Sequence, residues 1–170
     1  MTVVTTLIQP RLPLGYDDSV NVNNAFPIRL SRAMDFDGSG DYVDCGAGVS
    51  PLVSGSSLVA WVKPGTVASG GLSSILESCV INGRFAIGLS ESESKFYVTR
   101  LFSGSYDGVT STLIQADQWY HVVGTVSADG GTIALYVNGV AQSGAYGSNK
   151  SATGTSQTTI GRWNSGTGYY

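Results

Sequence analysis

Apolar and polar positions alternate with a period of two along residues 119–142, where Ile133, Leu135 and Val137 interleave with Thr132, Ala134 and Tyr136. In an extended chain this period gathers the apolar groups on one face, and the stretch is rich in β-branched and aromatic residues. It predicts three strands joined by two turns. Asn138-Gly139 supplies the two positive-φ positions of a two-residue hairpin, and Asp129-Gly130-Gly131 supplies a looser glycine-rich reversal.

The same patterning predicts a strand over 34–43 with a glycine turn at Gly38-Ser39-Gly40, and another over 58–63 closed by Pro64-Gly65. Residues 69–74 read as a flexible loop, and 75–76, 85–89, 96–98 and 109–114 as short strands. Trp61 lies mid-strand among apolar neighbours and is expected in the core. The charged run Glu91-Ser92-Glu93-Ser94-Lys95 marks an exposed hairpin tip. Residues 1–32 follow no period, hold three of the five prolines and read as an extended N-terminal arm outside the domain of 33–170. Such an arm is either a poorly ordered leader or a docking element. Val3, Val4, Leu7, Ile8, Leu12, Leu14, Tyr16, Phe26 and Ile28 make it more apolar than a typical disordered tail, which favours docking on a surface.

Trp119-x-His121-Val122 followed by Leu135-Tyr136-Val137-Asn138-Gly139-Val140 resembles the central meander of laminin G-like domains, the concanavalin A-type jelly rolls. Residues 34–43 look like that family's first core strand, 58–64 like its second, and Thr159-Ile160-Gly161-Arg162 like the strand near its end. The resemblance implies an all-β fold, an antiparallel two-sheet jelly-roll sandwich over 33–170. It also implies a further central strand, yet the sequence reaches Gly168-Tyr169-Tyr170 where the turn into that strand should begin. Either the sequence is a portion of a longer chain, or the slot is filled by a partner or by the arm, with Val3-Val4 and Leu7-Ile8 as the strand-forming pieces.

Composition narrows the function. Glycine makes up 23 of 170 residues, which suits many strands with tight turns. Charged residues are 12% and the net charge is −3, so no cationic surface is expected and nucleic-acid binding is excluded. No apolar run approaches the ~20 residues of a membrane span, so a soluble protein without membrane insertion is expected. The apolar start is interrupted by Gln9-Pro10-Arg11, unlike the ~7–15-residue core of a secretory signal, and folding in a cytosol is the expectation. Cys45 and Cys79 are then expected to be buried free thiols rather than a disulfide.

Chemistry is sparse. Asp35, Asp37, Asp41 and Asp44 invite a calcium reading, but counting from Asp35 puts Gly46 where an EF-hand needs its bidentate Glu. By the resemblance, a rim calcium at Asp37 and Asp41 stands beside a plain solvated turn; no metal ligand or cofactor is assigned. Retaining glycoside hydrolysis needs two carboxyl groups about 5–5.5 Å apart, and the nearest pattern, Glu91-x-Glu93, falls on a turn while Glu77 is isolated. His121 occupies a position where the family carries a routine strand histidine. An enzyme is not expected. Tyr106, Asp107, Tyr146, Trp163 and Asn164 lie on predicted loops and offer the stacking rings, carboxylate and amide of a carbohydrate site, against the plainer role of tyrosines as edge and core filler. The expected function is a non-catalytic binding module. It would decorate a virion, particularly of a phage, held by its arm to other structural subunits or copies of itself and binding cell-surface glycans. The alternative is an extracellular accessory carbohydrate-binding domain of an adhesin or glycoside hydrolase.

Overall fold

The computed structural model describes residues 2–4, 33–46, 55–65, 72–80, 83–90, 93–102, 105–127, 132–145 and 157–162. Its strands are β1 (Thr2–Val4), β2 (Met34–Asp35), β3 (Val43–Asp44), β4 (Ser56–Lys63), β5 (Leu72–Val80), β6 (Gly83–Ser90) and β7 (Lys95–Phe102). They continue as β8 (Ser105–Thr110), β9 (Tyr120–Val126), β10 (Ile133–Val137), β11 (Val140–Ala141), β12 (Gly144–Ala145) and β13 (Gln157–Ile160). Two antiparallel sheets result, one of six strands in the order β11-β10-β9-β4-β1-β2 and one of seven in the order β12-β8-β7-β6-β5-β13-β3. This is the two-sheet jelly-roll class implied by the strand motifs.

Side-chain alternation decides which face of each strand meets the other sheet. On β4, Leu58, Ala60 and Val62 are buried; on β9 and β10, Val122, Val126 and Leu135 are buried. The facing sheet answers with a row that crosses six strands, Val43–Ile160–Leu76–Ile87–Val98–Val109, each residue paired in register with the next. At the contact between sheets stands Gly124. A Cβ there would lie 2.6 Å from Val98 Cγ2 and 2.7 Å from Ile87 Cγ2, so the close approach of the sheets depends on the missing side chain.

Several elements differ from expectation. The stretch 34–43 is two short strands in different sheets, because Asp37 Oδ1 accepts the Ser39 N–H at 2.7 Å and Gly38 and Gly40 adopt φ of 83° and 93°, bending the chain between them. Residues 72–74 belong to β5 rather than to a loop, with the register shifting between Ser74 and Leu76 so that the buried Ile75 is the inserted residue. β8 ends at Thr110. Beyond it Ser111 still exchanges bonds with Phe96, its N–H donating to the Phe96 carbonyl at 2.8 Å and its Oγ accepting the Phe96 N–H at 3.0 Å.

The hairpin turn at Asn138-Gly139 has the expected positive φ at both residues, 51° and 80°. At the acidic tip Glu93 is exposed, Ser94 has φ of 51°, and Lys95 lies 3.5 Å from Glu93. Glu91 falls outside the described residues.

The arm is corrected only in its boundary. Residues 1–32 were set outside the domain, with Val3-Val4 kept as one candidate for the vacant strand slot, and β1 sits within the six-stranded sheet, with Val3 opposite Val62 on one side and Met34 on the other. All three residues of β1 are β-branched, which suits such a ladder. The rest of the arm, residues 5–32, lies outside the described residues. Cys45 is also corrected. It is exposed while Cys79 is buried, and neither is in a disulfide. β13 runs between their strands, leaving them about 10 Å apart, beyond the ~7 Å limit for a disulfide.

Two substitutions test this architecture. Gly124→Val should lower stability by about 1–3 kcal/mol through overpacking, read as a reduced urea midpoint at unchanged slope. Val3→Pro removes a ladder N–H from an interior strand and should cost about 1 kcal/mol or more in the same assay.

Candidate functional site

The outward face of the six-stranded sheet is apolar and aromatic. Its residues are those of opposite phase to the core: Ser57, Val59, Trp61 and Lys63 on β4, His121 and Val123 on β9, Tyr136 on β10. Trp61 stands directly opposite His121 and their rings lie 5.1 Å apart at 38°. One ladder row over, Val59, Val123 and Tyr136 are in register. Trp61 is 39% exposed, Val59 44% and Tyr136 36%, and Trp119, just before β9, is 41%. The expectation that Trp61 belongs to the core is therefore wrong. Leu58, Ala60 and Val62 take that side, and the period of two turns Trp61 outward. A signal existed in the sequence: Trp61 shares its phase with polar Ser57 and Lys63.

The platform is held in shape from below. Asn138 Oδ1 accepts the His121 N–H at 2.9 Å and the Asn138 N–H donates to the His121 carbonyl at 2.8 Å, tying the β10–β11 turn to β9. By ordinary sheet spacings the Cα atoms of Trp61 and Tyr136 stand roughly 12 Å apart, two strands and two residues removed. That separation is on the scale of an extended ligand rather than of one small ring. Lys63 approaches Asp117 at 3.8 Å, an exposed pair that adds little to stability.

The outward face of the seven-stranded sheet is different. It is polar and buried: Ser74, Glu77, Arg84, Thr99 and Thr159 are all at 4% exposure or less. Glu77 Oε2 accepts from Arg84 Nη2 at 2.8 Å and from Ser74 Oγ at 2.8 Å. Glu77 was expected to be isolated; the β5–β6 register puts Arg84 diagonally across from it. In the ladder Glu77 is flanked by Thr159 and Ala86, neither a carboxylate. Removing one charge from a buried pair costs about 3–5 kcal/mol, because the other stays desolvated. Glu77→Gln should show a loss of that size by urea unfolding, and Glu77→Gln with Arg84→Met should recover part of it.

Two of the five predicted carbohydrate contacts, Tyr106 and Asp107, fall among the described residues. Tyr106 and Asp107 sit on strand β8, not on a loop, since each pairs in register with β7. The Asp107 carboxylate is engaged by Arg100, whose Nε donates to Oδ1 at 3.0 Å and whose Nη2 donates to Oδ2. Tyr146, Trp163 and Asn164 lie outside the described residues.

Around the acidic turn, Asp41 Oδ2 accepts the Asp37 N–H at 3.3 Å and Asp44 Oδ1 accepts the Gly46 N–H at 2.8 Å. Among the described residues no three His, Cys, Asp or Glu side chains converge as metal ligands. Partial burial, and secondarily the adjacent Asp44 charge, push the Cys45 thiol up from its ordinary pKa. It is therefore a weak nucleophile at neutral pH.

Two antiparallel sheets packed over one core, with an aromatic face outside, define a β-sandwich of the lectin-like kind. A laminin G model of the concanavalin A-like lectin/glucanases superfamily matches residues 37–170, and the chain belongs to that superfamily. No curated protein and no solved structure matches the chain.

Proposed function

We propose that this domain is a non-catalytic module that binds saccharide on the outward face of the six-stranded sheet. The observation that carries the reading is the exposed Trp61–His121 pair with Tyr136 beyond it. An indole left 39% exposed on an interior strand is not committed to the core. It offers the flat apolar wall on which a sugar ring's C–H face packs. Two further features support a binding role over a catalytic one: the Glu77 carboxylate is occupied by Arg84 and Ser74, and Glu93 is on an exposed turn.

The setting we propose is a surface assembly such as a virion appendage that presents this face to glycans. The apolar residues of the arm, among them Leu12, Leu14, Phe26 and Ile28, favour it, since they call for a protein surface to cover. A second reading, an accessory carbohydrate-binding domain of a secreted adhesin or glycoside hydrolase, draws support from the superfamily's lectin and glucanase members. It differs only in what the domain is attached to.

Affinity electrophoresis in gels containing soluble polysaccharides tests the binding role. The wild-type chain should be retarded by at least one neutral glycan. Trp61→Ala should weaken that binding on the order of tenfold while changing stability by no more than about 0.5 kcal/mol, because the ring is solvent-facing. Retardation identical in wild type and Trp61→Ala would sink the platform.

A further inference from the structure

Around the β11 edge from the aromatic face lies a groove of about 910 Å³. Its walls are the connection from β8 to β9 and the chain running from β11 into β12. The volume falls at the upper end of the roughly 300–1,000 Å³ typical of small-ligand sites.

Three observations point to its occupant. First, Leu113 at 73% and Val140 at 63% are the most exposed of the large hydrophobics among the described residues, and both line this groove. Second, the walls are tied together in advance. Gln142 Oε1 accepts the Thr112 N–H at 3.1 Å, its Nε2 donates to the Val140 carbonyl at 2.9 Å, and its own N–H donates to the Leu135 carbonyl at 2.8 Å. A ligand therefore meets a preformed shape and does not bear the cost of ordering it.

Third, charge is selective. Among the described residues that line the groove, Lys95 is the single charged one, on a chain of net charge −3. Its ion pair with Glu93 is 3.5 Å long, with side-chain exposures of 33% and 53%. Such a pair is weak enough to be exchanged for a ligand carboxylate. One cation among hydroxyls and amides suits a single carboxylate on a largely uncharged, hydroxyl-rich molecule. It suits a densely charged polyanion poorly.

We infer that the groove is a second binding site, separate from the aromatic face, for an acidic saccharide of about disaccharide size. The Lys95 ammonium pairs the uronate carboxylate, Leu113 and Val140 pack against a ring's apolar face, and the hydroxyls of Thr112 and Ser143 take sugar hydroxyls. An acidic peptide is the competing occupant, since it too brings a carboxylate.

Two-dimensional amide NMR of the full chain tests this with oligomers of galacturonate, mannuronate and hyaluronan, beside a neutral gluco-oligosaccharide and an aspartate-containing peptide. At least one uronate should shift the amides of Thr112, Leu113 and Val140 to Ser143, whereas the neutral oligomer should leave them in place. Lys95→Ala should weaken the uronate about tenfold, the loss of one charged hydrogen bond. Lys95→Arg, which keeps the positive charge at the same position, should retain most of that binding. The inference is overturned if no uronate moves these amides, if Lys95→Ala binds equally well, or if the peptide binds more tightly than every uronate. The Trp61 indole resonance reads the aromatic face in the same spectra, so failure at one site is told apart from failure at the other.

Discussion

Everything in this domain rests on the closeness of its two sheets over Gly124. The row from Val43 to Val109 spans most of the seven-stranded sheet, and it reaches β9 only because Ile87 and Val98 meet a backbone there instead of a side chain. Once that contact is made, one face of β4, β9 and β10 is committed to the core. The other face is free to serve something else. A sandwich thus separates the residues that hold it together from those that act, and it does so strand by strand through the period of two.

The two outward faces use that freedom in opposite ways. On the six-stranded sheet it is spent on rings and valines facing water. On the seven-stranded sheet it holds a buried Glu77–Arg84 pair with hydroxyls around it. Such a pair contributes little net stability against a well-packed apolar alternative, but it makes misalignment of β5 and β6 costly. A shift of one residue would move Glu77 to the core side, away from Arg84.

What was legible in the sequence was local. The Asn138-Gly139 turn, the strands around Trp119–Val140 and the exposed tip at Glu93 each depend on a few consecutive residues. The side of Trp61 was legible too, in the shared phase of Ser57 and Lys63, but apolar residues on both phases hid it. What could not be read depends on register. Arg84 meets Glu77, and Arg100 meets Asp107, only once the register of each hairpin is fixed, and that register is not written in the few residues around either pair. The groove joins Thr112 to Gln142, thirty positions apart, through a crossing between sheets that no short pattern announces.

The placement of β1 has a consequence in time rather than in space. Val3 pairs with Val62, a residue made 59 positions later, because 62 minus 3 is 59. At the ~5–20 residues per second of protein synthesis, that strand waits roughly 3–12 seconds before its place in the sheet exists. During that interval β4 cannot offer an edge, and β1 has only the short strand β2 to pair with. β1 and β4 are therefore joined only once both have been made, and β9, β10 and β11 are added to the other side of β4 later still. Any other extended segment nearby competes for the same place until β1 arrives.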